Sequence, residues 1–495
     1  MTEDDGHEPG ELAARLGMEM DADRASLLAE GFEARDEVVT ELDSLPSPTP
    51  PDRDYWEPTD DDDPNAGFLI RCDLGGDGPL SDVELAVKDN IAVAGLPMTC
   101  GSPLLSGYVP ERDATVVERL LDAGVHLVGK ANMDEFAMGG DSDAMRFRLA
   151  RNPHDPAHQP GGSSAGSGVA VAEGSVDAAL GTDTGGSVRF PASYCGVFGV
   201  KPTRGLVSHD GFVQFSKTLD TIGVLARDAE TGGRVLATMA GPDPADDATR
   251  GADVGDYAAA AREGVEADPS SLTVGVVSDI FGYNDRVEEP VSGALDALAD
   301  AGAEVVDVSL DGYDRAVPAW VAIGETELAM YLGANGVNYW RDSAPLPSLV
   351  EALDERLPDA PEEVQDPVLG SALYGAHLAT DFGNRYYARA QRVRRQFTGA
   401  VDDALDGVDV LASPTTPMLP PAWDEEGYLD DGSLYDAIRN TGPFNLTGHP
   451  AVSMPCAAVD GLPVGLQFVG GWYDEETLFH AAGVWGDIHG EPYGV

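Results

Sequence analysis

The stretches "VELAVKDNI" (83–91), "ATVVERLLDAG" (114–124) and "VHLVG" (125–129) are where the fold first reads from the chain. Val83, Leu85 and Val87 alternate along one face, the two-residue period of a strand, and the run ends in a polar tip. "ATVVERLLDAG" spaces its apolar residues as one face of a helix and stops at Gly124, a residue suited to a helix C-terminus. "VHLVG" is then a second strand. The same alternation returns in "LTVGVVSDI" (272–280), "VSGALDALADAGAE" (291–304) and "VVDVSL" (305–310). A long helix, "YYARAQRVRRQFTGAVDDAL" (386–405), leads into the strand "VDVLASPTTP" (408–417), and "LPVGLQFVG" (462–470) is a further strand. Strands alternating with helices over most of the chain predict an α/β fold, one large sheet covered by helices on both faces. No internal repeat is evident.

Outward from this pattern the chain changes character. Residues 1–45 read as a small helical region, with Leu12, Leu16, Leu27, Leu28 and Phe32 among charged neighbours. Residues 46–66 hold the prolines and the run Asp60–Asp63 and read as an acidic, solvated linker. A calcium loop is the competing reading, but the spacing is not that of an EF-hand. Residues 67–495 form the main domain.

Composition narrows the function. The 495 residues hold 87 acids against 30 Lys and Arg, a formal charge of −57, with 42% hydrophobic content. That apolar fraction supports a core, and the acidity argues against nucleic acid and anionic membranes as partners. Adaptation to molar salt, where the Debye length falls to about 3 Å, explains the excess. The N-terminus lacks a signal-peptide pattern, no apolar run is long enough to span a bilayer, and four scattered cysteines suit a reducing cytoplasm.

Chemistry concentrates in residues 160–206, where Gly, Ser and Ala dominate in "PGGSSAGSG" (160–168) and "DTGGSVR" (183–189). A phosphate cradle is one reading, though no G-x-x-x-x-G-K-[ST] motif occurs. A nucleophile elbow is another, because Gly162-Ser163-Ser164-Ala165-Gly166 matches G-x-S-x-G; it requires a later histidine, His449 among five candidates. The third reading makes Ser187 the nucleophile. Backbone N–H groups of Thr184, Gly185, Gly186 and Ser187 would then form its oxyanion hole, where glycines permit close approach. No histidine lies nearby, so a neutral lysine is the base, and Lys88 at the end of an apolar strand is placed for the burial this requires.

"VKDNI" (87–91), "DATVVERL" (113–120), "PGGSSAGSG" and "LGTDTGGSVRFPASYCGVFGVKPT" (180–203) together resemble the amidase-signature family, over roughly residues 67–485. The resemblance implies that the large sheet is mixed and that 67–495 is a catalytic domain. It implies Lys88 as base, Ser163 as a bridging serine after a cis peptide bond, and Ser187 as nucleophile. Ser163 follows Lys88 by 75 residues and Ser187 follows Ser163 by 24. It further implies bracing hydrogen bonds from Ser164, Asp183 and Arg189, hydrolysis of a small-molecule carboxamide through an acyl-enzyme, and no metal or organic cofactor.

Two branches of the family compete. "NMDEFAMGG" (132–140) and "YYARAQRVR" (386–394) resemble the amidase component of the glutamyl-tRNA amidotransferase, which works with partner subunits. "VKDNIAVAGLPMTCGS" (87–102), "TGPFNLTGHPAVSMP" (441–455) and the helical N-terminal region resemble free-standing amidases, for which a homodimer is compatible. The amidotransferase component is expected to carry an acid three positions before Thr441 that holds glutamine's α-amino group; Ile438 stands there. Arg394 remains available to meet a carboxylate. The free-standing branch is preferred, and a non-catalytic binding protein on this scaffold is disfavoured by the intact Lys-Ser-Ser set.

Overall fold

In the computed structural model, residues 9–15, 17–46, 48–139, 145–337, 345–423 and 433–490 are described. The first six strands are β1 (Tyr55–Trp56), β2 (Phe68–Leu74), β3 (Glu84–Lys88), β4 (His126–Ala131), β5 (Ala178–Asp183) and β6 (Phe198–Lys201). The rest are β7 (Thr221–Ala226), β8 (Thr273–Val277), β9 (Glu304–Val308), β10 (Val410–Pro414), β11 (Ala451–Val459) and β12 (Leu462–Val469). Among the described residues these twelve strands join one sheet in the order β1-β2-β4-β3-β5-β7-β6-β11-β12-β10-β8-β9. The pairs β3–β4, β3–β5, β8–β10 and β8–β9 run parallel and the others antiparallel, so the sheet is mixed.

The helix Thr115–Asp122 carries the chain between the parallel strands β3 and β4, burying Val116, Val117 and Leu120. The helix Asp285–Ala301 does the same between β8 and β9 and ends at Gly302, whose φ of 117° continues the chain at low steric cost. Phe198, Val200, Ile222, Val224, Phe468 and Val469 fill the middle of the sheet almost without exposure. Runs buried on both faces explain why β5 and β7 show no polar alternation.

The chain divides into two compact units, residues 1–49 and 50–495. In the first, helices Pro9–Arg15 and Ala22–Val39 are followed by a 3-10 turn, Thr40–Ser44. Asp21 caps the second helix by accepting from Arg24 N at 2.8 Å, and Leu27 and Leu28 are exposed on it. Residues 1–8 and Leu16 lie outside the described residues.

The expectation of a solvated linker over 46–66 needs revision in its second half. Tyr55 and Trp56 pair with Cys72 and Arg71 of β2, adding a strand to the sheet edge. Asp63 is buried, accepts from the N–H groups of Gly67 and Phe68, and pairs with Arg148. A carboxylate with three such partners belongs to the fold rather than to a solvated run. Among the described residues no helix is long and apolar enough to cross a membrane.

Candidate active site

Because β3 and β5 are parallel neighbours, both deliver their last residues to the same edge of the sheet. Ligand sites of α/β sheets gather at such carboxyl ends. Lys88 ends β3 and is fully buried; its Nζ donates to Ser163 Oγ at 2.7 Å and to Thr182 Oγ1, on β5, at 2.8 Å. Burial pushes the Lys88 ammonium down to about 7, against the pull of the carboxylates of Asp134, Asp183 and Asp220.

Ser163 is buried too, follows the cis peptide bond Gly162–Ser163, and lies just before the helix Ala165–Ala172. That helix can sit so close because of Gly166: a Cβ there would fall 2.3 Å from Gly67 O and 2.4 Å from Asn132 N. Ser164 bonds to backbone instead. Its hydroxyl donates to Thr182 O and accepts from Thr182 N, both at 3.2 Å, locking the end of β5. His449 is held by Thr447 and Asp402, each at 2.9 Å, and burial pushes it down to about 4. The nucleophile-elbow reading therefore gains nothing from either residue.

Ser187 occupies the turn between β5 and the helix Arg189–Cys195. It lines a cavity of about 30 Å³ whose other walls include Met138, Phe190, Phe215, Trp320 and Ile438. Among the described residues no hydrogen bond joins its hydroxyl to Ser163. The structure thus pairs Lys88 with Ser163 and sets Ser187 on the cavity wall.

Asp183 and Arg189 form the girder under this turn, both with fully buried side chains. Asp183 accepts from Arg189 Nε at 3.0 Å, Arg189 Nη2 at 2.9 Å, Asn445 Nδ2 at 2.8 Å and the backbone N–H groups of Gly186 and Val188. Burial alone pushes its carboxyl up, but the Arg189 charge and hydrogen bonds outweigh that and hold it at about 2. Arg189 spends its remaining N–H groups on Gln467 Oε1, Asn445 Oδ1 and Thr441 O.

The Gly186 N–H donates to Asp183 Oδ1 at 2.8 Å, so it is not free to face a substrate. The expected set of four backbone donors reduces to Thr184, Gly185 and Ser187. Gly186 is needed for a different reason: its φ is 134°, and a Cβ would lie 2.5 Å from Thr441 Oγ1.

Sequence reasoning did not find Thr182, Asp220, Trp320, Asn445 or Gln467. Thr182 holds Lys88, and Asp220 Oδ1 accepts from Thr184 Oγ1 at 2.6 Å. Trp320 Nε1 donates to Thr184 O at 2.7 Å. Nothing local marks Asp220, Trp320 or Gln467, since their partners are remote in sequence. Thr182 had a signal in its place in the glycine-rich block, and Asn445 in its place in the stretch 441–455. Among the described residues no group of three or more His, Cys, Asp or Glu side chains is arranged to hold a metal ion.

Residues 73–479 match the family model named Amidase. The A component of the glutamyl-tRNA(Gln) amidotransferase of Halobacterium salinarum is 44% identical over 423 residues, covering 84% of this chain and 98% of that protein. The crystal structure of the component of the same name from Thermotoga maritima superposes with a TM-score of 0.68 at 34% identity, covering 81% of this chain and 82% of that one. The peptide amidase of Stenotrophomonas maltophilia superposes with a TM-score of 0.67 at 33% identity, covering 83% of each chain. With the match extending over most of its length, this chain belongs to the amidase family and is an enzyme acting on amide C–N bonds.

Proposed function

We propose that the chain is a free-standing amidase of small uncharged carboxamides, with Ser187 as nucleophile, Ser163 as proton relay and Lys88 as base. The observation that carries this reading is the 2.7 Å contact between Ser163 and a lysine that burial brings to about 7. A lysine at that value is half neutral near neutral pH and can take a proton. With Lys88 neutral, one N–H still serves Thr182 and the lone pair faces the Ser163 proton.

The steps balance without a cofactor. Ser187 Oγ bonds to the amide carbon as its proton moves to Ser163 and that of Ser163 moves to Lys88. The carbonyl electron pair shifts to oxygen, which the N–H groups of Gly185, Ser187 and Thr184 receive. One such donor is worth about 10²–10³ in rate. On collapse the C–N bond breaks, the nitrogen takes the proton back through Ser163, and ammonia departs. Water then attacks the acyl-enzyme, gives its proton to the same relay, and the carboxylate leaves as Ser187 is reprotonated. Asp183, Arg189 and Ser164 brace this machinery without touching the substrate.

The cavity walls support an apolar acyl group. Ile438 stands on the wall beside Ser187, and Arg394 is engaged with Thr218 Oγ1 at 2.9 Å and Thr218 O at 2.7 Å. The α-ammonium of glutamine would meet Ile438 unpaired, and losing one charge-assisted hydrogen bond costs about 1.5–3 kcal/mol, roughly 10- to 150-fold. The four cysteines, buried and unpaired, fit a reducing cytoplasm, and the acidic excess fits work in concentrated salt.

A second reading rests on the relatives named as components of the glutamyl-tRNA(Gln) amidotransferase: this chain would supply ammonia within a complex of partner subunits. Ammonia release from benzamide, propionamide and glutamine by the purified chain in molar KCl separates the two. Faster release from the simple amides supports the free-standing enzyme. Cleavage of glutamine alone, and only with partner subunits and charged tRNA present, establishes the second reading.

A further inference from the structure

Thr184 and Gly185 share one peptide plane, in which the carbonyl of Thr184 and the N–H of Gly185 point in opposite directions. Whatever holds the carbonyl therefore aims the N–H. The group that holds it is the indole of Trp320, whose Nε1 donates to Thr184 O at 2.7 Å. Trp320 is 6% exposed and stacks on Phe215 at 6.1 Å between ring centroids. Its ring also lies over Gly185, where a Cβ would come within 3.1 Å of Trp320 Cζ2. The same ring walls the cavity beside Ser187.

The helix that carries it, Ala316–Leu332, grips Thr184 by a second route. Its Glu327 accepts from Ser216 Oγ at 2.6 Å, Thr218 N at 2.8 Å and Thr218 Oγ1 at 2.8 Å. The loop so held is closed by Asp220, which accepts from Phe215 N, Ser216 N and the Thr184 hydroxyl. The helix thus holds the Thr184 carbonyl directly and the Thr184 hydroxyl only through the loop that carries Asp220, from outside the glycine-rich block that contains the serines.

We infer that Trp320 is a positioning and specificity residue of the amidase reaction: it aligns the Gly185 N–H for the oxyanion through the Thr184 carbonyl, and its ring shapes the pocket for the acyl group. This rests on the assignment of Ser187 as nucleophile. Acyl preference and transition-state stabilisation then meet in one side chain: loss of its N–H acts on kcat, and loss of its ring acts on KM. Ile438, on the same wall but without a bond to Thr184, provides the comparison.

The test uses the full chain in molar KCl. Trp320→Phe keeps most of the ring and removes the N–H; kcat for benzamide is expected to fall about tenfold with KM within about twofold, the loss of roughly one neutral hydrogen bond. Inhibition by 2,2,2-trifluoroacetophenone, which forms a tetrahedral oxyanion on the serine, should weaken by the same factor, while competition by benzoate stays unchanged. Ile438→Ala should alter KM and leave the ketone's affinity relative to benzoate unaltered. The rate of Ser187 labelling by a fluorophosphonate reports the same alignment without an amide substrate, and should also fall about tenfold in Trp320→Phe. Absence of amide turnover in the unsubstituted chain alongside this labelling difference would overturn the substrate reading and keep the inference. A Trp320→Phe enzyme with unchanged kcat, ketone inhibition and labelling rate would make Trp320 a wall only and overturn it.

Discussion

Acidification below neutrality is expected to remove activity through one proton on Lys88. The group sits at about 7 because burial disfavours its charged form, and the reaction needs it neutral. The base is available above about 7 and lost as pH falls through that value. For a single group the neutral fraction is about one half at pH 7, about one eleventh at pH 6 and about one hundredth at pH 5. Initial rates of benzamide hydrolysis from pH 5 to 9 in molar KCl should therefore give kcat/KM falling about tenfold per pH unit on the acid side. Asp220 complicates the assignment, since burial pushes its carboxyl up to about 7 as well. Asp220→Asn separates the two. Removing a negative charge near Lys88 makes its protonation harder, so the acid limb should move to lower pH. A limb that disappears in Asp220→Asn, or one that persists unshifted in the residual activity of Lys88→Met, would refute the reasoning.

Ser187→Ala should abolish hydrolysis with an unchanged circular dichroism spectrum, and a fluorophosphonate should label Ser187; labelling at Ser164 instead would contradict the assignment. Ser163→Ala should lose most activity through the broken relay yet retain fluorophosphonate-reactive Ser187, measurable as a slowed but finite labelling rate. Arg189→Met leaves the Asp183 carboxylate buried without its cation, and urea unfolding should show a loss of about 3–5 kcal/mol. With 87 acids against 30 basic residues, the melting temperature should rise with KCl as repulsion is screened; a melting temperature independent of salt would rule out salt adaptation as the cause of the acidity.

Local patterns were sufficient wherever the physics is local. Val83, Leu85 and Val87 declare a strand by their period, and Gly124 and Gly302 close helices because they accept positive φ. Ser163 and Ser187 declare themselves as hydroxyls on backbone too bare to be ordinary core, and Lys88 as a cation at the end of an apolar strand. The sequence pattern could not say that β3 and β5 are adjacent and parallel, because strand pairing is a choice among distant segments. That adjacency brings Lys88 to Thr182, 94 residues later. Nor could it say that the Gly186 N–H turns to Asp183 rather than outward, or that the four aspartates of 60–63 include one buried under Arg148. Trp320 is the extreme case: 136 residues separate it from Thr184, and its neighbours in the chain show only an apolar helix. Residue types and local period determine which groups can do chemistry; only the folded chain decides which of them meet, because hydrogen bonds and burial act across space regardless of separation in sequence.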